Sequence, residues 1–569
     1  MALAALSLVL ATASQTPTKP FSLLKTGPEN RWQFKSATGS PFWSLGVCCT
    51  GPGSTWDEYD SKNPSYAAHK LFPNSSEWVS HTLDTLKSNG FNSIGGWSDT
   101  TLFRKHGGKK RLPYFEVLHL GAYNRAPWSD MFSKEHVRII EKAAKDQIEK
   151  IKGDPHLVGY FSDNELGWWR EALFLTYLKM TPKEPGRQKF VGFVSNHYKN
   201  SWLAFQRDWI TKQTSFTKID DSIRLRPGAN GMAVVKAWQS YLTDHYYRQV
   251  KTAIRKFDPH RLILGDRYCQ FYYPNVVQTS TAHIDAVSTN YGADWVSGEI
   301  TEYFLSTLNQ ITKKPVLITE FYMAAMENRS GNMNSSGGFP VVQTQRQRED
   351  AVRTYLADIG RRPYVAGAHW FQYWDEPTHG RKDGENYNMG LIDIHGKPYD
   401  GLMRVFREFK PGKPWTPDFK GELPAADSGF TNGFQGWPKR AALIKPGPQP
   451  AFGDLYVFSG KDRIRVGLAS MGFTDESLYP DKRVPEQDRS QLTLTINGTK
   501  HWVRFGGKNR PCTTDPNTKI AYWRDGVRSE LAITLPRPAS QTLKIEAALT
   551  THGRADRMTW VDSRRLSDN

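Results

Sequence analysis

Between residues 41 and 410 one unit recurs: a short apolar, strand-like segment that ends in polar or aromatic residues, then an amphipathic stretch of helical period. The strand candidates are FWSLGV (42–47), FNSIGGW (91–97), LPYFEVLHL (112–120), LVGYFSDNE (157–165), RLILGDR (261–267), IDAVSTNYG (284–292), PVLITEFY (315–322) and VAGAHWFQYW (365–374). The intervening stretches include EWVSHTLDTLKSNG (77–90), closed by Gly90, and KEHVRIIEKAAKDQIEKIKG (134–153), closed by Gly153. Strands that alternate with helices pair in parallel, and eight such units predict an α/β fold of the (β/α)8 TIM-barrel kind.

A barrel of this kind places its chemistry at the C-terminal tips of the strands. Trp97, Asn164, Glu165, Asp266, Asn290, Tyr291, Glu320, Trp370 and Asp375 all fall at or just past a strand end. Two long insertions, 50–76 after the first strand and a helical one within 187–257 after the fourth, rise from the same face, where they shape a cleft. The basic run Arg104 to Arg111 precedes the third strand instead, so it belongs to the opposite face and reads as a solvated connection.

The rest of the chain divides by composition. The N-terminus, MALAALSLVLATASQ, has an apolar run followed by Ala11-Thr12-Ala13, which reads as a secretory signal over residues 1–13. A buried first strand or helix is the alternative. Residues 14–412 then hold the barrel with an N-terminal extension, and 413–427 form a Pro/Gly-rich linker. Past it, in 428–569, short alternating runs such as LYVFSG (455–460), QLTLTING (491–498) and TLKIEAALT (542–550), with the turn pair Asn497-Gly498, predict a small C-terminal β-sandwich. That region carries 22 Lys and Arg against 14 Asp and Glu, within a total net charge of +18. A basic sandwich suits either an anionic glycan or a solubilising, packing role.

The four cysteines, Cys48, Cys49, Cys269 and Cys512, have neither C-x-x-C nor metal-finger spacing. After the N-terminus no apolar run approaches about 20 residues, so no membrane span is expected. The 19 Trp are suited to stacking on sugar rings or bases.

Retaining hydrolysis of a glycosidic bond needs two carboxyl groups about 5–5.5 Å apart, one protonated and one ionised. In a barrel they come from the tips of different strands, and Glu165 on the fourth and Glu320 on the seventh meet that condition. Either alone reads as a capping or salt-bridging residue; together, in NE and TEF contexts, they read as a pair. The loop EPTHGRKDGENYN (376–388) offers Glu376, His379, Asp383 and Glu385, but its spacing fits no calcium or zinc pattern, and sugar contacts, led by Gln372 and Glu385, are the better reading. The chemistry needs no metal or other cofactor, and nucleic acid is not an expected partner.

These segments resemble a known family. Asn164-Glu165 and Glu320 in LITEF resemble the acid/base and nucleophile signatures of the clan A retaining glycoside hydrolases, and GYFSDNELGWW, ITEFYMAA and GAHWFQYWDEPTHGRKDGENYNMG look like the corresponding segments of family 50 β-agarases. The resemblance covers about residues 40–410. It implies Glu165 as acid/base, Glu320 as nucleophile, Asn164 on the sugar 2-hydroxyl, Tyr291 as hydrogen-bond partner of the nucleophile and Trp370 as the aromatic floor beneath the sugar. Trp97 and Trp168 join the expected substrate contacts, and Trp168 with Trp169 would desolvate Glu165. The implied partner is a polysaccharide or oligosaccharide: a β-linked galactan like agarose, or a sulfated or acidic relative. Family 50 agarases commonly carry a carbohydrate-binding-like domain ahead of the barrel, whereas here the small β-domain follows it, which leaves the substrate open. A family 42-like β-galactosidase acting on oligosaccharides and a non-catalytic glycan-binding barrel are the competing readings.

Overall fold

The computed structural model describes residues 20–36, 38–381, 383–412, 422–423, 442–447, 450–472, 474–506, 510–513, 518–525 and 528–566. The signal-peptide reading, and the linker apart from residues 422–423, fall outside them.

Eight parallel strands form one sheet: β1 (Ser44–Val47), β2 (Ser93–Ile94), β3 (Tyr114–Val117), β4 (Leu157–Phe161), β5 (Leu262–Ile263), β6 (Val287–Asn290), β7 (Val316–Phe321) and β8 (Val365–Trp370). β8 pairs with β1, and a parallel bridge between Tyr268 and Thr289 joins the β5 and β6 ends, so the barrel closes. The regular pairing is shorter than the apolar runs. At β5 the chain leaves the sheet at Gly265 (φ 85°) and Arg267 (φ 46°), both in the left-handed region, and this twist re-aims the residues that follow.

The barrel interior is filled by Phe115, Val117, Val158, Phe161, Leu262, Leu264, Leu317 and Ala366, as expected for a packed core without a pore. Its lower end is plugged by the N-terminal extension, an antiparallel hairpin of Ser22–Thr26 and Arg31–Lys35 whose Phe34 meets Phe115 edge to face at 5.5 Å. Gly46 on β1 is required by close approach: a Cβ there would stand 2.6 Å from the His369 ring.

The sheet is wrapped by helices that sequence punctuation defines well. In α1 (Ser75–Ser88) Asn74 caps the Glu77 N–H, in α2 (Thr100–His106) Asp99 caps that of Leu102, and in α3 (Lys134–Ile148) Ser133 caps that of His136. The helix Gln345–Arg361 opens on a reciprocal capping box between Thr344 and Gln347. The basic run is structural, with Arg104 and Arg111 both meeting Asp154 at the bottom of the barrel.

The insertion after β4 folds as α4 (Arg170–Lys179), α5 (Pro185–His197), α6 (Trp202–Asp208) and the long α7 (Met232–Phe257). Its core is aromatic: Trp238 is met edge-on by Tyr177 and Phe190, each at 5.2 Å, and Phe174 stacks on Trp209 at 5.4 Å. Much of the tryptophan content therefore serves packing; Trp78, Trp209, Trp238, Trp370 and Trp560 are fully buried.

The expected sandwich is present as two five-stranded sheets. One orders Glu422–Leu423, Arg557–Leu566, Thr542–Thr550, Ser490–Ile496 and Thr499–Phe505; the other orders Leu443–Ile444, Gly453–Ser459, Arg463–Met471, Arg528–Pro536 and Lys519–Asp525. Asn497 (φ 46°) and Gly498 (φ 88°) make the hairpin turn, both in the left-handed conformation that a two-residue loop demands. The inner faces supply Leu455, Val457, Leu468, Leu492, Leu494, Ile533 and Trp560 to the core.

Candidate active site

Five non-glycine residues at consecutive strand tips share a positive φ: Cys49 after β1 (53°), Trp97 after β2 (64°), His119 after β3 (51°), Glu165 after β4 (51°) and Arg267 after β5 (46°). A side chain in that region costs energy that the surrounding fold must supply, and such residues cluster at functional sites. Here the strain lies on one face of the barrel and turns these tips towards its axis.

Two carboxylates lie within one hydrogen-bonded network. Glu320, in β7, accepts from Arg267 Nη2 at 2.7 Å and from Trp97 Nε1 at 2.9 Å, both on Oε1. The other arm of the same guanidinium, Nη1, donates to Asn164 Oδ1 at 2.9 Å. Asn290 Nδ2 donates to Asn164 Oδ1 at 3.1 Å and to Glu165 Oε1 at 2.8 Å, and its Oδ1 accepts from the Thr319 hydroxyl at 2.7 Å. The tips of β4, β5, β6 and β7 are thereby tied together.

The surroundings of the two carboxylates differ. Glu320 is paired directly with a fully buried cation, which also lies 5.2 Å from the Trp97 ring and 5.4 Å from that of Phe161. Glu165 is reached by solvent, yet it sits deep among protein atoms, and among the described residues the Asn290 amide is its polar side-chain partner. Partial desolvation first, and the charge of Glu320 second, push its carboxyl above the usual range, against the opposing pull of Asn290 and Arg267.

The 376–388 loop closes one side. Glu376 is buried; desolvation, then the charge of Glu385, push its carboxyl up to about 8. Arg381 Nη2 binds Glu385 at 2.7 Å, and desolvation raises the Glu385 carboxyl as well. Gln372, fully buried, places Nε2 3.5 Å from Glu376 Oε1, while its own Oε1 has no hydrogen-bond partner among the described residues. Among the described residues no group of three His, Cys, Asp or Glu could hold a metal ion.

Several expected contacts are corrected by this geometry. The Tyr291 hydroxyl is not directed at the Glu320 carboxylate: it donates to Asp294 at 2.5 Å and lies 3.0 Å from Thr301, its ring stacks on Phe304 at 3.8 Å, and Tyr291 meets Glu320 through its backbone N–H, which donates to the Glu320 carbonyl at 2.9 Å. Trp97 and Arg267 occupy the place expected for it. Trp370 is no floor to the cleft, because it points to the helix side of the wall, against Phe321, Phe406 of the helix Asp400–Glu408 and Arg348, with Nε1 on the Met389 carbonyl at 2.9 Å. Trp168 is also buried, donating to Asp266 Oδ2 at 2.9 Å beneath the Glu165 loop, whereas Trp169 is the exposed neighbour and stacks on Phe271 at 4.8 Å. Asn164, Glu165, Glu320, Gln372, Glu385 and Trp97 are brought to the upper face. Arg267 and Asn290 were not singled out as site residues, although both end strand candidates and Asn290 is a polar tip.

Fold and site together define a class: a closed (β/α)8 barrel whose fourth and seventh strands each deliver a carboxylate to one amide and guanidinium network at the C-terminal face. No family model matches the chain. Beta-agarase A of Vibrio sp. (strain JT0107) is 28% identical over 380 residues, which is 61% of this chain and 37% of that protein. Beta-agarase B of the same organism is 27% identical over 357 residues, 58% of this chain and 36% of that protein. The chain thus spans little more than a third of the length of these curated relatives. Among solved structures, an exo-beta-agarase superposes with a TM-score of 0.58 at 21% identity, covering 69% of this chain and 64% of that one. BpGH50 does so with 0.54 at 18% identity, covering 69% and 82%. The barrel fold is shared with them, and the resemblance to family 50 β-agarases holds.

Proposed function

We propose that the protein is a glycoside hydrolase that cleaves a β-linked galactan with retention, Glu165 acting as acid/base and Glu320 as nucleophile. One observation carries the reading: two carboxylates on the fourth and seventh strands of the barrel share a network, yet a cation and an indole N–H serve one while the other is kept partly desolvated beside a negative charge. That asymmetry gives two identical side chains two roles. The relatives named as β-agarases support the substrate class.

In the first step the Glu320 carboxylate attacks the anomeric carbon while Glu165 gives its proton to the departing glycosidic oxygen; the C–O bond breaks as the glycosyl ester forms. The ester has no negative charge, so the repulsion that keeps Glu165 protonated falls and it can then take a proton from water. That water attacks the anomeric carbon and releases Glu320. Asn164, whose Oδ1 is occupied by Arg267 and Asn290, directs its amide nitrogen towards a sugar hydroxyl. Export of the protein, read from its N-terminus, suits a polymeric substrate found outside the cell.

The test is product release from agarose, porphyran, carrageenans and neutral β-galactan, with nuclear magnetic resonance recording the anomer first formed. Retention is expected, with losses on the order of 10²–10⁴ in Glu165→Ala. Azide should rescue Glu165→Ala on an activated aryl galactoside with a β-azide product, and Glu320→Ala with an α-azide. An inverted product, or near-full activity in either variant, would overturn the assignment.

A further inference from the structure

The C-terminal sandwich is not merely adjacent to the barrel: its charged side chains enter the segment that carries Glu165. Arg170 and Glu171, five and six residues past Glu165 at the start of α4, are fully buried. Arg170 Nη1 lies 3.3 Å from Asp556 Oδ2, and Glu171 Oε1 lies 2.9 Å from His552 Nε2; both partners belong to the turn between the last two strands of the sandwich. Asp556 is gripped a second time by Lys236 of α7 at 2.5 Å, and Lys236 also donates to the Ala555 carbonyl at 3.1 Å. The Arg170 guanidinium lies 5.1 Å from the Tyr273 ring.

Other anchors of the segment come from the barrel and from α7. Glu165 N–H donates to the Asp266 carbonyl at 3.2 Å, Trp168 Nε1 to the Asp266 carboxylate at 2.9 Å, Trp128 Nε1 to the Leu166 carbonyl at 3.2 Å and Gln239 Nε2 to the Trp168 carbonyl at 2.5 Å. Between them sits Gly167 at φ 67°, so the segment bends freely unless both ends are fixed. These anchors hold the segment on both sides of Gly167, and the sandwich fixes Arg170 and Glu171 immediately beyond. A buried ion-pair network adds little net stability compared with apolar packing, but it tolerates one arrangement only. Such a device suits positioning better than adhesion.

We propose that the sandwich is a positioning domain for the acid/base loop: His552 and Asp556 hold Arg170 and Glu171 so that Glu165 meets the leaving-group oxygen. This rests on Glu165 being the acid. It gives the basic C-terminal domain a task within catalysis in place of glycan capture.

The experiment separates the acid step from the rest. A dinitrophenyl glycoside of the oligosaccharide that the enzyme releases has a leaving group able to depart unprotonated, whereas the natural galactan oligosaccharide needs the proton. Asp556→Asn and His552→Gln should lower kcat/KM on the oligosaccharide by about 10²-fold, the effect of a displacement of about 1 Å, while kcat/KM on the dinitrophenyl glycoside stays within a factor of about three, far from the loss that general-acid catalysis would show. Asp454→Asn alters a different sandwich anchor, on the Tyr303 N–H at 3.1 Å at the start of the helix Glu302–Thr312, and should show no such split. If Asp556→Asn does not fold, His552→Gln alone decides. Equal losses on both substrates, or no loss on either, would overturn the proposal, provided that Glu165→Ala shows the split. If Glu165→Ala itself shows none, the assignment of the acid fails instead, and the positioning role with it.

Discussion

Arg267 lies against Glu320, Nη2 to Oε1 at 2.7 Å, while the second arm of its guanidinium holds Asn164, so one planar group fixes residues from β4 and β7 at once. A lysine ammonium cannot span both. Arg267→Lys should therefore lower kcat/KM by roughly 10- to 100-fold, the equivalent of one lost charge-assisted hydrogen bond of about 1.5–3 kcal/mol. In Arg267→Ala, added guanidinium ion should restore part of the rate. In Arg267→Met, where the side chain fills the space, it should restore none, and equal rescue of both would show that the cation acts from elsewhere.

Trp97 supplies the other hydrogen bond to Glu320, and its ring lies 4.9 Å from that of His119. Trp97→Phe keeps a ring and removes the donor. Its expected cost is about 10-fold in kcat/KM, from the loss of a single hydrogen bond to a charged group. Steady-state kinetics with a soluble oligosaccharide would measure it; an unchanged kcat/KM would mean that Arg267 alone suffices to hold Glu320.

The proton on Glu165 sets the alkaline limb of the rate profile. An acid works only while protonated, so kcat/KM declines as pH rises through its raised pKa. Asn290 opposes that rise by donating to the ionised form at 2.8 Å. Removing it in Asn290→Ala should move the alkaline limb to higher pH while lowering the maximum. A limb that moves to lower pH would contradict the stated direction of the Asn290 effect.

What could be read from the sequence was set by periodicity and by residue type at strand ends. Eight apolar runs with helical stretches between them leave few folds, and a Glu at the tips of the fourth and seventh is a visible pattern. The inward or outward aim of a side chain was not visible. VAGAHW is apolar almost throughout because a parallel strand is covered on both faces, so nothing in the string says that His369 faces the interior, 3.0 Å from Ser44, while Trp370 faces the helices. Arg267 was hidden for a related reason: the left-handed turn that aims it at Glu320 falls on an arginine, where no glycine announces it.

Glu376 should leave a signature in stability. Its folded-state pKa of about 8 stands above the ordinary carboxylate value, so the stability it confers is fully present below the unfolded pKa, near 4.3, and is lost as pH rises towards 8. Glu376→Gln keeps an acceptor for the Tyr387 N–H and a donor towards Glu385 without the titration. Thermal unfolding should show the variant gaining on the order of 1 kcal/mol at pH 8 and nothing near pH 4. A gain that grows as pH falls would reverse the argument.

Trp370 separates a structural tryptophan from a sugar platform. Its ring is fully buried beside Phe321, Phe406 and Arg348, and its N–H is satisfied by the Met389 carbonyl. Trp370→Ala therefore opens a cavity and removes that hydrogen bond, at a cost of about 3–5 kcal/mol in stability. Trp370→Phe fills most of the space and should cost less, since the Met389 carbonyl keeps the Gln372 N–H at 3.3 Å. Thermal unfolding should rank the two variants in that order, while KM for a short galactan oligosaccharide stays at the wild-type value in Trp370→Phe. A KM raised tenfold or more with stability intact would return the ring to the cleft; a lowered thermal midpoint with KM unchanged places it in the wall, where it braces the end of β8 next to Gln372 and the 376–388 loop.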